Sequence, residues 1–147
     1  MLTIFPKKSN TLAVLSGLVG QLKVKVSPFT LSNTLLEHPN YPSLLSLSDS
    51  LTEWNISHRV YQVKTDDKDI SDLPFPFIAH LRDLDNDSSK FILVHKITSE
   101  SVQFGDEVSK KNSMSVEEFL GSWDGVLLNA QKEKNSGEEN FEASIKI

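Results

Sequence analysis

Phe91-Ile92-Leu93-Val94-His95-Lys96-Ile97 is the stretch that decides the fold class. It is a near-continuous apolar run, interrupted late by His95 and Lys96, and it has the length and β-branched character of a strand. Working outward, Phe77 to Leu81 is a second run of this type, set behind a turn-rich acidic stretch from Lys64 to Pro76, and Arg59 to Val63 is a third. Downstream, Val102 and Phe104 alternate with polar neighbours, and Val126 to Ala130 closes the set. Between those last two, Met114 to Trp123 has the pattern of one short helix, with Ser115 as N-cap and Glu118 as its capping-box partner. Most of a sheet therefore comes from the second half of the chain.

The first half is helical in its spacing. Leu12, Leu15, Val19 and Leu22 recur on one face, which predicts a helix over Thr11 to Leu22, capped by Ser9, Asn10 or Thr11. Val14 and Leu18 add a second apolar face, so this helix is expected to be surrounded by other elements. A second helix is predicted over Thr30 to Glu37. It stops where His38-Pro39-Asn40-Tyr41-Pro42 imposes extended or turn geometry before each proline. Ser43 then caps a third helix whose stripe is Leu44, Leu47, Leu51 and Trp54, and Asn55 can take the left-handed conformation that ends it. Helices first and a mostly antiparallel sheet afterward is the α+β order.

Composition bounds the function. A chain of 147 residues buries enough apolar surface for one ordinary domain. No apolar run approaches the ~20 residues of a membrane-spanning helix. The N-terminus, Met1 to Asn10, has two lysines but no small-residue cleavage pattern, which argues against a signal peptide. A formal charge of -5 argues against a nucleic-acid partner, which calls for clustered Lys and Arg. There is no cysteine, which removes disulfides, thiolate metal sites and thiol nucleophiles together.

Asp83, Asp85 and Asp87 imitate the first ligands of a calcium loop, but Ser88 stands in the glycine position and Val94 in that of the bidentate glutamate, so an acidic hairpin turn is the better reading. His38, His58, His80 and His95 show no short metal-ligand pairing, and His80 and His95 are expected in strands as hydrogen-bonded or half-exposed imidazoles. No metal or cofactor is expected. Trp54 and Trp123 fall on apolar stripes and are expected in the core. From Gln131 to Ile147 the chain is polar, which divides it into a domain over 1–130 and a tail or linker over 131–147.

Several segments in order then narrow the α+β class. Pro76-Phe77-Ile78-Ala79-His80-Leu81, Lys90-Phe91-Ile92-Leu93-Val94, Val102-Gln103-Phe104-Gly105-Asp106, and Ser115-Val116-Glu117-Glu118-Phe119 ending in Trp123-Asp124-Gly125 resemble the second half of the double-glycine leader (bacteriocin-processing) peptidases, family thirty-nine of the papain-like cysteine peptidases. The likeness runs from about Leu12 to Asn129. It implies a papain-like fold, N-terminal helices packed on a mostly antiparallel sheet. It also implies a site made of a cysteine at the start of the first helix, a histidine opening a strand, and an aspartate that orients it.

On the positions that match, this sequence offers only Lys8, Ser9, Asn10 or Thr11 for the cysteine, Lys90 for the histidine, and Asp106 for the aspartate, with Glu107 where the family has proline. The family's upstream glutamine has no match, since Gln21 lies at the wrong end of the helix. The resemblance thus implies degenerate positions at Ser9 and Lys90, a remnant at Asp106, and a chain that is not an enzyme. A Ser9–Lys90 dyad is the conceivable exception, against Ser9 as a plain N-cap. Such a domain is expected to bind an extended polypeptide or leader peptide, or to serve as an adaptor on the membrane domain of a longer chain, at the cytoplasmic face of a bacterial inner membrane. Leu35 to Ser46 also looks like a variant domain found ahead of vitamin K epoxide reductase-like membrane domains, so an exporter and a redox partner both stay open. An open groove between the first helix and the Phe91 strand would favour binding. A groove filled by Phe29 or Leu31 would favour the adaptor.

Overall fold

Among the described residues, each of the four α-helices starts after a serine. A serine hydroxyl just ahead of a helix accepts from one of the first free N–H groups, so each cap sets a boundary by local chemistry. In the computed structural model, which describes residues 9–64, 70–139 and 141, Ser9 accepts from Leu12 N ahead of α1 (Asn10–Gln21) and Ser27 accepts from Thr30 N ahead of α2 (Pro28–Leu36). Ser43 accepts from Ser46 N ahead of α3 (Leu44–Glu53), and Ser115 from Glu118 N ahead of α4 (Val116–Ser122). The second helix begins two residues before the predicted Thr30, because Ser27-Pro28 is itself a start signal: a cap followed by a proline with its φ preset. Asn55 takes the left-handed conformation after α3, at φ 56°.

The strands are β1 (Ser57–Gln62), β2 (Phe77–Asp83), β3 (Ser88–Ile97), β4 (Ser101–Gly105), β5 (Asn112–Ser115) and β6 (Trp123–Gln131). They form one sheet in the order β1-β6-β2-β3-β4-β5, antiparallel at every pairing. This is the α+β architecture that the sequence implies. β5, which precedes α4, is a strand without an apolar pattern and was not expected. Asp83 makes the β2–β3 turn by accepting from the Asp85 and Asn86 N–H groups and the Asn86 amide, as the hairpin reading expects.

Both faces of the central strands β2, β3 and β6 are covered, which explains their apolar runs. Ile78, Phe91, Leu93, Leu128 and Ala130 pack against Leu15, Leu18, Leu35 and Leu47 of the N-terminal helices. Phe77, Ala79, Ile92, Val94 and Leu127 point the other way, onto Phe119 of α4 and Trp123. Trp54 and Trp123 are both buried. Gly17 lets α1 sit close on the sheet, since a Cβ there would stand 3.0 Å from Leu93.

After β6 the chain returns to the helices. Ser136 Oγ donates to Asn55 O, Gly137 N to Trp54 O and Glu138 N to Lys25 O, while the Glu138 carboxylate accepts from Ser27 N and from Thr30 Oγ1. The rest of the expected tail, 140 and 142–147, lies outside the described residues apart from residue 141. Among the described residues no helix is long and apolar enough to cross a membrane.

Candidate functional site

The N-terminus of α1 meets the start of β3 through Asn10. Its amide nitrogen donates to Phe91 O at 2.7 Å and to Glu107 Oε2 at 2.8 Å, while its oxygen accepts from Phe91 N at 2.7 Å. The backbone donor and acceptor of Phe91 fix which end of the amide is which. Among the described residues offered at the start of the first helix, Asn10 is the one whose side chain bonds to the facing strand. Ser9 is turned elsewhere: its Oγ accepts from Leu12 N and from Tyr41 Oη at 2.6 Å. Lys8 lies outside the described residues.

Lys90, at the start of β3, is enclosed by carboxylates. Its Nζ donates to Asp106 Oδ2 at 2.8 Å and to Glu107 Oε1 at 3.2 Å. Partial burial works against the ammonium, but the two hydrogen bonds and the attraction of the carboxylates outweigh it and hold the Lys90 pKa above the ordinary lysine value. Asp106 is more deeply placed, with its side chain 4% exposed. Burial opposes its charge, yet Lys90 and the Ser109 and Val108 N–H groups prevail and hold its pKa below the usual carboxylate range. For Glu107, burial is likewise outweighed, by Asn10, its own backbone N–H and Lys90, and its pKa is also lowered. A lysine in this state is a cation and a donor, and has no lone pair with which to accept a proton at neutral pH.

Ser9 and Lys90 line the same hollow but share no hydrogen bond, so the structure does not assemble the Ser9–Lys90 dyad. Asp106 serves two partners with its two oxygens, Lys90 on one and the turn at Val108 and Ser109 on the other. Asn10, Lys90, Asp106 and Glu107 thus form one hydrogen-bonded cluster where α1 meets β3, and Ser9 stands outside it.

Two hollows flank this junction. One, of about 530 Å³, runs between α1 and the loop after β4, and is walled by Ala13, Gly17, Gly20, Leu93, His95 and Val108 among others. Among the described residues it is not filled from within: Leu31 is buried in the core and Phe29 is 77% exposed on α2. The other, of about 450 Å³, is walled by Ser9, Tyr41, His80, Arg82, Lys90 and Asp124 among others. His80 Nδ1 lies 2.6 Å from Asp124 Oδ2 there.

The sequence profile of the Peptidase C39 family matches residues 6–135. The chain belongs to that family. The peptidase domain of Streptococcus ComA, a bifunctional ABC transporter of a quorum-sensing pathway, superposes with a TM-score of 0.72 at 18% identity, over 90% of this chain and 97% of that one. A double-glycine motif protease from an AMS/PCAT transporter, solved with its leader peptide, gives 0.71 at 13% identity over 90% of each chain. The peptidase C39-like domain of a toxin secretion ATP-binding protein from Vibrio parahaemolyticus gives 0.66 at 15% identity, over 87% of this chain and all of that one. At these identities the likeness shows the fold, which is the papain-like α+β fold implied by the sequence. Among curated proteins, none matches the sequence.

Membership corrects one expectation. The missing cysteine and histidine led to the reading that the chain is not an enzyme, but the family it belongs to is one of cysteine peptidases, and its solved neighbours are peptidase domains. The absence of cysteine is consistent with the loss of thiol chemistry and does not establish that this C39 domain is inactive. The sequence reading also left Asn10 as one of several options, and it did not connect Glu107, Tyr41 or the His80–Asp124 pair to the site. Glu107 had a signal, since it stands where the family has proline. The other contacts join residues far apart in the chain and leave no local pattern.

Proposed function

We propose that this C39 domain recognises an extended polypeptide of the leader type and does so as the peptide-receiving part of a larger membrane exporter. The observation that carries this reading is the unfilled channel of about 530 Å³ between α1 and the loop after β4, in the place where side chains of the domain itself would have closed it in an adaptor. Its walls suit a peptide main chain. Gly17 and Gly20 leave the α1 side low, Leu93 gives an apolar floor, and the 105–110 loop forms the facing wall. That loop is held in shape by Asp106, which accepts from the Val108 and Ser109 N–H groups. The neighbour from the AMS/PCAT transporter was solved with a leader peptide, which supports a peptide as the ligand class to try first.

The test is a titration of the isotope-labelled domain with extended peptides, some ending in Gly-Gly and some scrambled, followed by amide chemical shifts. Saturable shifts clustered on α1 and the 105–110 loop are expected. The absence of shifts at millimolar peptide, or shifts scattered over the surface, overturns the reading in favour of an adaptor. The same mixtures analysed by mass spectrometry report directly on whether any peptide is cut.

A further inference from the structure

His80 and Asp124 form a pair whose geometry leaves one ring nitrogen to spare. Asp124 is 13% exposed and held from two sides: Oδ1 accepts from Val126 N at 3.0 Å, and Arg82 Nε stands 3.7 Å from Oδ2. The carboxylate is an acceptor only, so His80 Nδ1, 2.6 Å from Oδ2, must carry a hydrogen toward it. In the neutral ring the lone pair is then on Nε2. The ring rests against Phe91, with centroids 5.0 Å apart, which limits its rotation. No group among the described residues donates to Nε2, and His80 lines the 450 Å³ hollow.

The pair has a structural role, since it ties β2 to β6 where their register shifts between Ala79 and Leu81. That tie uses Nδ1 alone. The other charged side chains on the hollow are Arg82 and Lys90, which can only donate, and Asp124, whose two oxygens accept from Val126 N and His80 Nδ1. A main chain presents N–H and C=O groups in alternation and needs both kinds of partner. We propose that His80 Nε2 accepts a backbone N–H of the bound polypeptide, and that Asp124 is the positioning residue that fixes the tautomer. The inference rests on the polypeptide reading above and extends it. The channel and the 450 Å³ hollow flank one junction, with Asp106 and Glu107 on the channel and Asn10 and Lys90 on the hollow, so a chain long enough to cross that junction reaches His80.

The experiment uses the whole domain at pH 8. Long-range proton–nitrogen correlation on the free domain is expected to show the hydrogen of His80 on Nδ1. A Gly-Gly-ended peptide and analogues with one amide at a time replaced by an ester are then titrated in. One ester is expected to bind about three- to tenfold more weakly, the loss of a single neutral hydrogen bond. That penalty should vanish in His80→Phe and shrink in Asp124→Asn.

A hydrogen found on Nε2 in the free domain overturns the proposal. So does an equal affinity of the wild-type domain for every ester, a result that needs no variant to fold. A persistent ester penalty in His80→Phe does the same. If the peptides bind but the ester series is flat, only this contact is lost. If no peptide binds, the polypeptide reading falls and this proposal with it.

Discussion

Replacing Asn10 separates two physical expectations of opposite sign. In Asn10→Ala, the Phe91 N–H and C=O lose their 2.7 Å partners and Glu107 loses one of its donors. Two neutral hydrogen bonds at ~1 kcal/mol each, with a smaller loss at Glu107 because it keeps Lys90, come to about 2–3 kcal/mol. For a domain of this size that lowers Tm by roughly 5–10 °C. Asn10→Asp is the sharper case. A carboxylate in the first turn of α1 should gain about 0.3–1 kcal/mol from the helix dipole. Yet it also puts an acceptor where Asn10 donates, facing Phe91 O and the Glu107 carboxylate. The hydrogen-bond geometry predicts that Asn10→Asp is at least as destabilised as Asn10→Ala at pH 7, by urea unfolding with unchanged slope. A loss below about 0.5 kcal/mol in Asn10→Ala, or an Asn10→Asp more stable than wild type, would refute the view that this amide holds α1 on β3.

Further outcomes follow from other contacts. Asp106 and Glu107 have folded pKa values below 3.8 and 4.5, so their stabilisation is present above those values and lost as pH falls through the depressed ones. Lys90, raised above 10.5, contributes below that value and loses its contribution as pH rises through the folded pKa. Lys90→Met should therefore flatten stability against pH at both ends, and an unaltered acid limb would show that the cluster is not what titrates. Gly125 has φ +87° and a Cβ there would stand 2.2 Å from Val63 O, so Gly125→Ala should lose about 2–4 kcal/mol in thermal or urea unfolding. In Glu138→Ala the Ser27 amide and the Thr30 hydroxyl lose their carboxylate at the start of α2. The expected loss is about 1 kcal/mol, with faster hydrogen exchange at Ser27.

What could be read in the sequence was local. Ser9, Ser43 and Ser115 cap helices because a cap depends on three or four consecutive residues, and Asn55 stops α3 for the same reason. Ser27-Pro28 carried the same kind of signal and was passed over for Thr30. Asn112–Ser115 is polar and largely exposed and is a strand only because β4 pairs with it, so no pattern could announce it. The site divides the same way. Lys90 and Asp106 can be named from their place in the order of segments, whereas Asn10 meets Phe91 across 81 positions and His80 meets Asp124 across 44. Whether Ser9 turns toward Lys90 or toward Tyr41 is decided by packing, which spacing along the chain does not encode.

The order β1-β6-β2 has a consequence for how the chain is made. β1 pairs along its length with β6, Ser57 opposite Gln131 and Gln62 opposite Val126. On the ribosome, which works from the N-terminus, β1 emerges early and must wait for its neighbour until the end of the domain has been synthesised. β2 and β3 can close as a hairpin in the meantime, and β4 and β5 can join them. The last strand to appear then enters between β1 and β2, so a single late step completes the sheet and brings the Asp124 turn beside His80.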